Sequence, residues 1–277
     1  MKFKFTGVGS AFTHNNYQTN CLIEKNGQYL LIDAGSDIRF ALKDLELSYK
    51  DIESVYVTHL HGDHVGGLEY LAFCSYFDPS VEDKPCLIGN NRLIRELWSS
   101  TLKGGLKSIQ GKKTSLDDFF DVQMVSRNGK FIWQDIVFQT VQSVHIMDEY
   151  SIVPSFGLMI TDPETELVVY YTGDTQFNPN QIMDFYNQAD IVFQDCETYP
   201  FKSGVHANYS ELVTLPDEVK AKMILMHMND NIFDGKDVST EWQNKAQDDG
   251  FWSFAMSGYD YDLSKMAKIV GGEDLDL

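Results

Sequence analysis

The sequence has few cysteines, and none of them stand close together. Cys21, Cys74, Cys86 and Cys196 are scattered through 277 residues without a Cys-x-x-Cys pair. Disulfide frameworks are typical of small secreted chains, and thiolate metal sites are typically marked by Cys-x-x-Cys pairs, so the sequence predicts neither. We expect the four thiols to behave as small buried hydrophobic side chains.

Long apolar stretches and an apolar leader are also missing. No segment approaches the roughly 20 apolar residues of a membrane-spanning helix, and residues 1–5 alternate lysine with apolar side chains. Since a signal peptide requires an apolar run and a cleavage site, none is predicted. We therefore expect a cytoplasmic protein without a membrane partner.

Positive charge is scarce. The chain carries 22 lysines and arginines against 41 aspartates and glutamates, a formal charge of −19 at pH 7. Such a surface repels long polyanions, so RNA or DNA is not expected as a partner. A small phosphate ester is still compatible with this charge, because bound metal ions supply positive charge locally.

The hydrophobic pattern predicts an α/β protein with one domain over residues 1–277. Strands are predicted at residues 2–7, 21–24, 28–33, 55–57, 131–144, 157–160, 167–172, 191–195 and 223–226, and helices at 38–45, 66–73, 91–102, 179–187 and 210–220. The glycine-rich, basic residues 103–113 are predicted to form a loop. Because strands come in runs with helices between them, we expect a two-sheet core covered by helices.

One short motif contains three of the seven histidines. His59, His61, Asp63 and His64 follow the predicted strand at 55–57 and precede a helix. Alternate residues of an extended segment point the same way, so His59 and His61 can reach one metal ion. Gly62 allows the chain to bend, so that Asp63 and His64 can reach a second ion. Imidazole nitrogen and carboxylate oxygen suit zinc and similar divalent ions.

Three further side chains stand at the ends of predicted strands: His145, Asp174 and His227. Taken alone, each is better explained as a hydrogen-bonded histidine or a turn aspartate than as a metal ligand. Together with the four residues of the motif they make seven nitrogen and oxygen ligands. That number fits two metal ions that share one bridging carboxylate.

The order and spacing of these seven residues resemble the metallo-β-lactamase superfamily. The resemblance implies an αββα four-layer sandwich with the site at one edge, and two divalent ions, Zn²⁺ or alternatively Mn²⁺. It implies that His59, His61 and His145 hold one ion, that Asp63, His64 and His227 hold the other, and that Asp174 bridges them.

Two later segments, residues 195–198 and 204–210, are similar to two loops of the ribonuclease Z-like phosphodiesterases. That similarity implies that His206 protonates the leaving alkoxide while Glu197 orients the His206 ring. We expect Asp63 to help orient or deprotonate the attacking water. A sugar alkoxide is a poor leaving group, which is why a positioned acid helps. Cys196 and the spacing at 208–210 depart from the ribonuclease pattern, and a surface histidine beside a loop glutamate is the alternative explanation.

Ribonuclease Z carries a basic tRNA-binding arm between the strands that end in the third and fourth metal motifs. Residues 146–173 occupy that interval here, and they contain no lysine or arginine. The whole chain most resembles the anti-Pycsar phosphodiesterases of phages and bacteria. This resemblance implies a homodimer that cleaves 3′,5′-cyclic nucleotides, including cCMP and cUMP, to linear monophosphates and so counters antiphage defence. Open alternatives are a tRNA 3′-processing endonuclease, a carboxylic ester or lactone hydrolase, and a module that sequesters nucleotides without cleaving them.

A basic cluster lies outside these motifs. Its members are Arg92, Arg95, Lys103, Lys107, Lys112 and Lys113. It is either a solvated surface or a lid or dimer-contact loop that closes over a substrate phosphate.

Overall fold

Two seven-stranded sheets lie at the centre of the fold in the computed structural model, which describes residues 1–270. The strands are β1 (Lys2–Gly7), β2 (Asn20–Lys25), β3 (Gln28–Ile32), β4 (Ile52–Val57), β5 (Cys86–Asn90), β6 (Ser108–Ile109), β7 (Lys112–Lys113), β8 (Asp121–Val125), β9 (Lys130–Trp133), β10 (Ile136–Met147), β11 (Ile152–Thr161), β12 (Val168–Tyr171), β13 (Ile191–Asp195), β14 (Met223–Met226), β15 (Phe233–Asp234), β16 (Asp237–Val238), β17 (Ser253–Phe254) and β18 (Asp260–Asp262). The first sheet has the order β18-β1-β2-β3-β4-β5-β8, and the second has the order β17-β14-β13-β12-β11-β10-β9.

Short helices connect and cover the strands. They are α1 (Ile38–Asp44), α2 (Gly62–Val65), α3 (Leu68–Phe77), α4 (Asn91–Glu96), α5 (Lys103–Leu106), α6 (Leu116–Phe119), α7 (Pro179–Gln188), α8 (Tyr209–Leu212), α9 (Asp217–Lys220), α10 (Thr240–Asp248) and α11 (Leu263–Val270). A π-helical turn over Leu97–Leu102 joins α4 to α5, and 3₁₀ turns occupy Tyr49–Asp51 and Asp230–Ile232. Within residues 1–270, none of these helices has both the length and the apolar character needed to cross a bilayer.

Alternating side chains hold the two sheets face to face. In β1, Phe3 and Phe5 are fully buried, while Lys2 and Lys4, which alternate with them along the strand, are only partly buried. The rings of Phe3 and Phe5 lie 5.2 and 5.1 Å from that of Phe193 in the second sheet. Period-two burial of this kind is what packs one face of a strand against an opposing sheet.

Helices bury the two outer faces. Leu68 and Leu71 of α3 belong to a hydrophobic cluster with Val55 of the first sheet. On the other side, α7 packs Tyr186 against Tyr170 of β12, with ring centroids 5.9 Å apart. The layers are therefore helix, sheet, sheet and helix, and the predicted αββα architecture is confirmed.

Three sequence predictions about secondary structure are wrong in detail. The single strand expected at 131–144 is a hairpin of β9 and β10, because Gln134 and Asp135 adopt left-handed φ angles of 48° and 64°. The loop expected at 103–113 is instead the helical turn α5 followed by the β6–β7 hairpin, which turns at Gly111. The helix expected at 210–220 is split into α8 and α9, since Pro216 cannot continue a helix.

The prediction that all four cysteines are buried is half correct. Cys21 and Cys196 are buried in the core between the sheets, whereas Cys74 and Cys86 are partly exposed. Cys74 lies near the C-terminal end of α3, and Cys86 is the first residue of β5. Both positions are at the ends of elements, where the periodicity of burial weakens.

Candidate metal centre

The polar side chains of the centre follow directly after buried strands. β3 and β4 run parallel, as do β12, β13 and β14, so their carboxyl ends carry the loops that begin at Asp33, Thr58 and His227. Asp33 and His227 adopt left-handed φ angles of 63° and 65°. Non-glycine residues in this region cost about 1–3 kcal/mol each and concentrate at functional sites.

Three histidines converge on one side of the centre. His59 Nε2 lies 3.0 Å from His61 Nδ1, and His145 Nε2 lies 3.2 Å from the same atom. Ligand nitrogens around a tetrahedral zinc ion are about 3.3 Å apart, given Zn–N bonds of about 2.0–2.1 Å. His145 lies within β10 at a break in register between Val144 and Ile146, and such a bulge re-aims a side chain.

Asp63, His64 and His227 form the other side. Asp63 Oδ2 lies 3.1 Å from His64 Nε2 and 3.3 Å from His227 Nε2. Asp63 and His64 lie in the single turn of α2, which starts at Gly62. The chain therefore bends at the glycine where the sequence predicted that it would.

Asp174 lies between the two sides. Its Oδ2 is 3.6 Å from His59 Nε2, 3.7 Å from His145 Nε2, 3.3 Å from His64 Nε2 and 3.6 Å from His227 Nε2. The structure thus brings the seven predicted ligands together as two sets that share one carboxylate. Their roles as metal ligands stay a prediction.

The outward-facing ring nitrogens of three of these histidines are held by hydrogen bonds. His64 Nδ1 bonds to Asp33 Oδ2 at 2.7 Å, and His145 Nδ1 donates to the carbonyl of Val205 at 2.8 Å. His59 Nδ1 lies 3.1 Å from Thr58 Oγ1. His64 Nε2 is buried without a hydrogen-bond partner in the part of the chain that the structure describes. Metal-binding histidines have this arrangement, with one nitrogen fixed from outside and the other free to coordinate.

The charges of the centre also favour a cation. Burial lowers the pKa of His59 well below its ordinary value and lowers that of His145, which keeps their lone pairs available. Burial opposes protonation of His64 too, but the carboxylates of Asp174 and Asp63 outweigh it and raise the pKa of His64 well above its ordinary value. The carboxylates thus attract positive charge to the centre, and divalent ions fit this nitrogen and oxygen donor set.

Asp33 is a residue of the centre that sequence reasoning missed. Its buried carboxylate accepts hydrogen bonds from the backbone N–H and the hydroxyl of Thr58, at 2.8 and 2.7 Å, as well as from His64. It therefore joins the loop before His59 to the helix that carries His64. The available signal was an aspartate at the end of the apolar run Leu30–Ile32.

The predicted pairing of Glu197 with His206 is wrong. His206 Nδ1 lies 2.9 Å from Asp195 Oδ2, and Asp195 is fully buried at the end of β13. Glu197 Oε2 instead accepts from the backbone N–H of Ser203 at 2.9 Å and from Asn208 Nδ2 at 3.2 Å. Asp195 is the last residue of β13, whereas Glu197 lies beyond the strand, where its carboxylate is bonded to Ser203 and Asn208 and not to His206.

Two cavities open beside His206. One has a volume of about 530 Å³ and is lined by His61, Asp63 and His145 among others; the other, of about 180 Å³, is lined by His227 and Glu197 among others. The six side chains of the basic cluster are exposed, and within residues 1–270 none of them lines either cavity. A lid formed by this cluster stays a prediction.

An αββα sandwich with two ligand sets at one edge defines a protein of the metallo-β-lactamase fold. Solved structures agree: the metallo-β-lactamase fold protein YhfI from Bacillus subtilis has a TM-score of 0.69 at 17% identity, covering 94% of this chain and 98% of that one. Human tRNase Z, short form, has a TM-score of 0.65 at 16% identity, with 95% and 99% covered. At these identities the likeness establishes the fold.

The chain belongs to the anti-Pycsar protein Apyc1 family, whose profile matches residues 1–258. A relative named anti-Pycsar protein Apyc1 from Paenibacillus harenae is 33% identical over 234 residues, covering 84% of this chain and 91% of the relative. One of the same name from Bacillus phage 010DV004 is 31% identical over 274 residues, covering 95% and 98%. The family resemblance noted in the sequence is confirmed.

Proposed function

We propose that the protein is a metal-dependent phosphodiesterase that hydrolyses 3′,5′-cyclic nucleotides, cCMP and cUMP among them, to linear nucleoside monophosphates. The observation that carries the proposal is the position of His206. Its Nδ1 lies 3.9 Å from Asp174 Oδ2, and its side chain is 19% exposed, whereas that of Asp174 is almost completely buried. A proton donor at the mouth of a metal centre suits an ester whose leaving group is a poor alkoxide. Membership of the anti-Pycsar family supports a role against cyclic-nucleotide antiphage defence.

The metal proposal is two divalent ions, Zn²⁺ or alternatively Mn²⁺. Such ions, when bound, neutralise the phosphate charge and lower the pKa of water. Under this proposal His59, His61 and His145 would hold one ion, Asp63, His64 and His227 would hold the other, and Asp174 would contribute to both.

The remaining steps use the protein's own side chains. Asp63 orients or deprotonates the attacking water, and the phosphate lies in the cavity that contains His61 and Asp63. His206 gives its proton to the departing sugar oxygen, and the Asp195 carboxylate stabilises the protonated ring. Glu197 acts indirectly, because its hydrogen bonds hold the loop from Ser203 to Asn208, which carries His206.

The alternatives are separated by substrate. A tRNA endonuclease of the ribonuclease Z type would carry its arm in the interval 146–173. Here β11 and β12 occupy half of that interval, and the whole interval contains no lysine or arginine. A carboxylic ester or lactone hydrolase also releases an alkoxide, so this alternative is separated from the phosphodiesterase by its substrate and not by His206. A protein that only sequesters nucleotides needs no proton donor beside the two ligand sets.

The proposal extends to assembly and location. We propose a homodimer that acts in the cytoplasm, in the host cytoplasm for a phage-encoded protein. The dimer is what the resemblance to the anti-Pycsar phosphodiesterases implies, and the location is the expectation drawn from the sequence. The exposed Met147 and Tyr150, in the hairpin between β10 and β11, provide apolar surface of the kind found at interfaces between subunits.

The test is turnover of cAMP, cGMP, cCMP and cUMP by zinc- or manganese-loaded protein, with products resolved by chromatography. Precursor tRNA and an acyl lactone are assayed in parallel. We expect linear monophosphates from the cyclic nucleotides and no product after His61→Ala. Cleavage of tRNA or lactone in place of the cyclic nucleotides would transfer the assignment to that alternative.

A further inference from the structure

One aromatic ring is exposed at the mouth of the metal centre although its loop is firmly held. Phe12 is 87% exposed. Its loop, residues 10–16, is anchored where Asp230 accepts from Thr13 Oγ1 at 2.7 Å and from the backbone N–H of His14 at 2.8 Å. At the loop's far end, Asn16 Nδ2 donates to the carbonyl of Lys236 at 2.7 Å. A preorganised loop that presents an apolar ring to solvent has the properties of a binding surface.

Phe12 belongs to both cavities beside His206. Phe12 lines the cavity of about 530 Å³ together with His61 and Asp63, and it lines the cavity of about 180 Å³ together with His227. The ring therefore adjoins the place where the phosphate would lie, and it adds apolar surface to both cavities.

A second pair of aromatic rings lines the smaller cavity. Tyr199 and Phe201 stack with ring centroids 5.5 Å apart and planes inclined by 17°. Phe201 is 62% exposed, yet its backbone carbonyl and that of Tyr199 both accept hydrogen bonds from Asn208 Nδ2, at 3.2 and 3.0 Å. Like Phe12, these rings are presented by a fixed backbone.

Polar side chains in the smaller cavity are already bonded to the protein. Asn229 Oδ1 accepts from the backbone N–H of Thr198 at 2.8 Å, and Asn229 Nδ2 donates to Ser10 Oγ at 3.4 Å. Glu197 is bonded to Ser203 and Asn208. A ligand that enters this cavity therefore meets mainly flat apolar surfaces, which favour stacking over hydrogen-bonded recognition.

We propose that Phe12, Tyr199 and Phe201 form an aromatic platform that binds the nucleobase by stacking while the phosphate lies at the metal centre. This inference rests on the proposed function and names the groups that hold the substrate's base. A nucleobase is a planar, uncharged ring system, and stacking of a base on an aromatic side chain is worth roughly 5- to 100-fold in affinity.

The experiment compares two substrates, a 3′,5′-cyclic nucleotide and the base-free 1-O-methylribofuranoside 3′,5′-cyclic phosphate. We expect Phe12→Ala to reduce the preference for the nucleotide, measured as the ratio of the two kcat/KM values, by about 10-fold or more, chiefly through KM. Phe12→Tyr retains the ring and should restore most of the preference. Phe201→Ala should reduce the preference in the same direction.

Phe40→Ala is the matched control, because Phe40 is an exposed phenylalanine on α1 that lines neither cavity. An unchanged preference in Phe12→Ala, or an equal loss on both substrates, would overturn the platform. If the parent protein hydrolyses neither substrate, the proposed function fails. The platform is then tested by equilibrium binding of the same two compounds, where equal affinities for parent and Phe12→Ala protein would refute it.

Discussion

His206 and Asp195 form a hydrogen-bonded pair in which only Asp195 is fully buried, with His206 Nδ1 lying 2.9 Å from Asp195 Oδ2. Asp195 also reaches the metal centre, since its Oδ1 lies 3.4 Å from His227 Nδ1. One carboxylate therefore fixes the ring proposed as proton donor and a ring proposed as metal ligand. Burial opposes protonation of His206, but the charge and hydrogen bond of Asp195 outweigh it and raise the pKa of His206.

Removal of the His206 ring should affect substrates according to their leaving group. His206→Ala should lower kcat on a cyclic nucleotide by about 100-fold or more, because the departing alkoxide loses its proton donor. Bis(p-nitrophenyl) phosphate releases a stable phenolate, so its turnover should fall much less. Similar losses on both substrates, at unchanged metal content, would show that His206 is structural.

Asp195→Asn should reproduce the His206→Ala pattern in weaker form. The amide keeps the size of the side chain but removes the charge that stabilises a protonated ring. Changes of this kind reduce activity by about 10- to 100-fold. Because Asp195 also contacts His227, metal content is measured in the same samples. Asp190→Asn is the control, because Asp190 lies directly before the first residue of β13, at the end of the strand opposite to Asp195. Full activity of Asp195→Asn on cyclic nucleotides would remove Asp195 from the account.

Asp33 should matter for metal binding, although it is not one of the predicted ligands. Asp33→Asn weakens the hydrogen bond that orients His64, and loss of such a partner typically reduces metal affinity about 10- to 100-fold. Competition with a chromophoric chelator measures the change. Asp44→Asn, at an exposed carboxylate paired with Lys236, should leave the affinity at the parent value. Equal affinities of Asp33→Asn and parent protein would contradict the role of Asp33.

Gly35 allows two segments of the centre to pass close together. A Cβ atom at this position would lie 2.3 Å from the backbone carbonyl oxygen of Asp63. We expect Gly35→Ala to lower the free energy of unfolding by about 1–3 kcal/mol and to reduce metal affinity, because the Asp63 backbone must move. Gly104→Ala is the control, since nothing lies within 4 Å of its added methyl group. Denaturant titration that finds the two variants equally stable would contradict this packing argument.

Much of the centre could be predicted because its residues follow strands whose apolar runs are clear in the sequence. The motif from His59 to His64, and the strand ends before Asp174 and His227, needed no tertiary information. The partners of these residues could not be predicted in this way. Asp33 and His64 are 31 positions apart, and their contact depends on how β3 and α2 pack.

The other errors have local physical causes. Gln134 and Asp135 form a left-handed turn without glycine or proline, so the break between β9 and β10 leaves no signal in the sequence. Glu197 was assigned on the resemblance of its segment to a loop of the ribonuclease Z-like phosphodiesterases that carries a glutamate. Only the side-chain direction at the end of β13 decides which of the two carboxylates meets His206.

The measurement that tests the central claim most directly is cyclic-nucleotide turnover as a function of bound metal. Chelator-treated protein is reloaded with increasing zinc or manganese, metal content is determined in each sample, and linear monophosphate is quantified by chromatography. The account predicts no turnover without metal, and turnover that reaches its maximum at about two ions per chain, as expected for hydrolysis at a two-metal site. Protein that carries two ions per chain and converts none of cAMP, cGMP, cCMP or cUMP would contradict it.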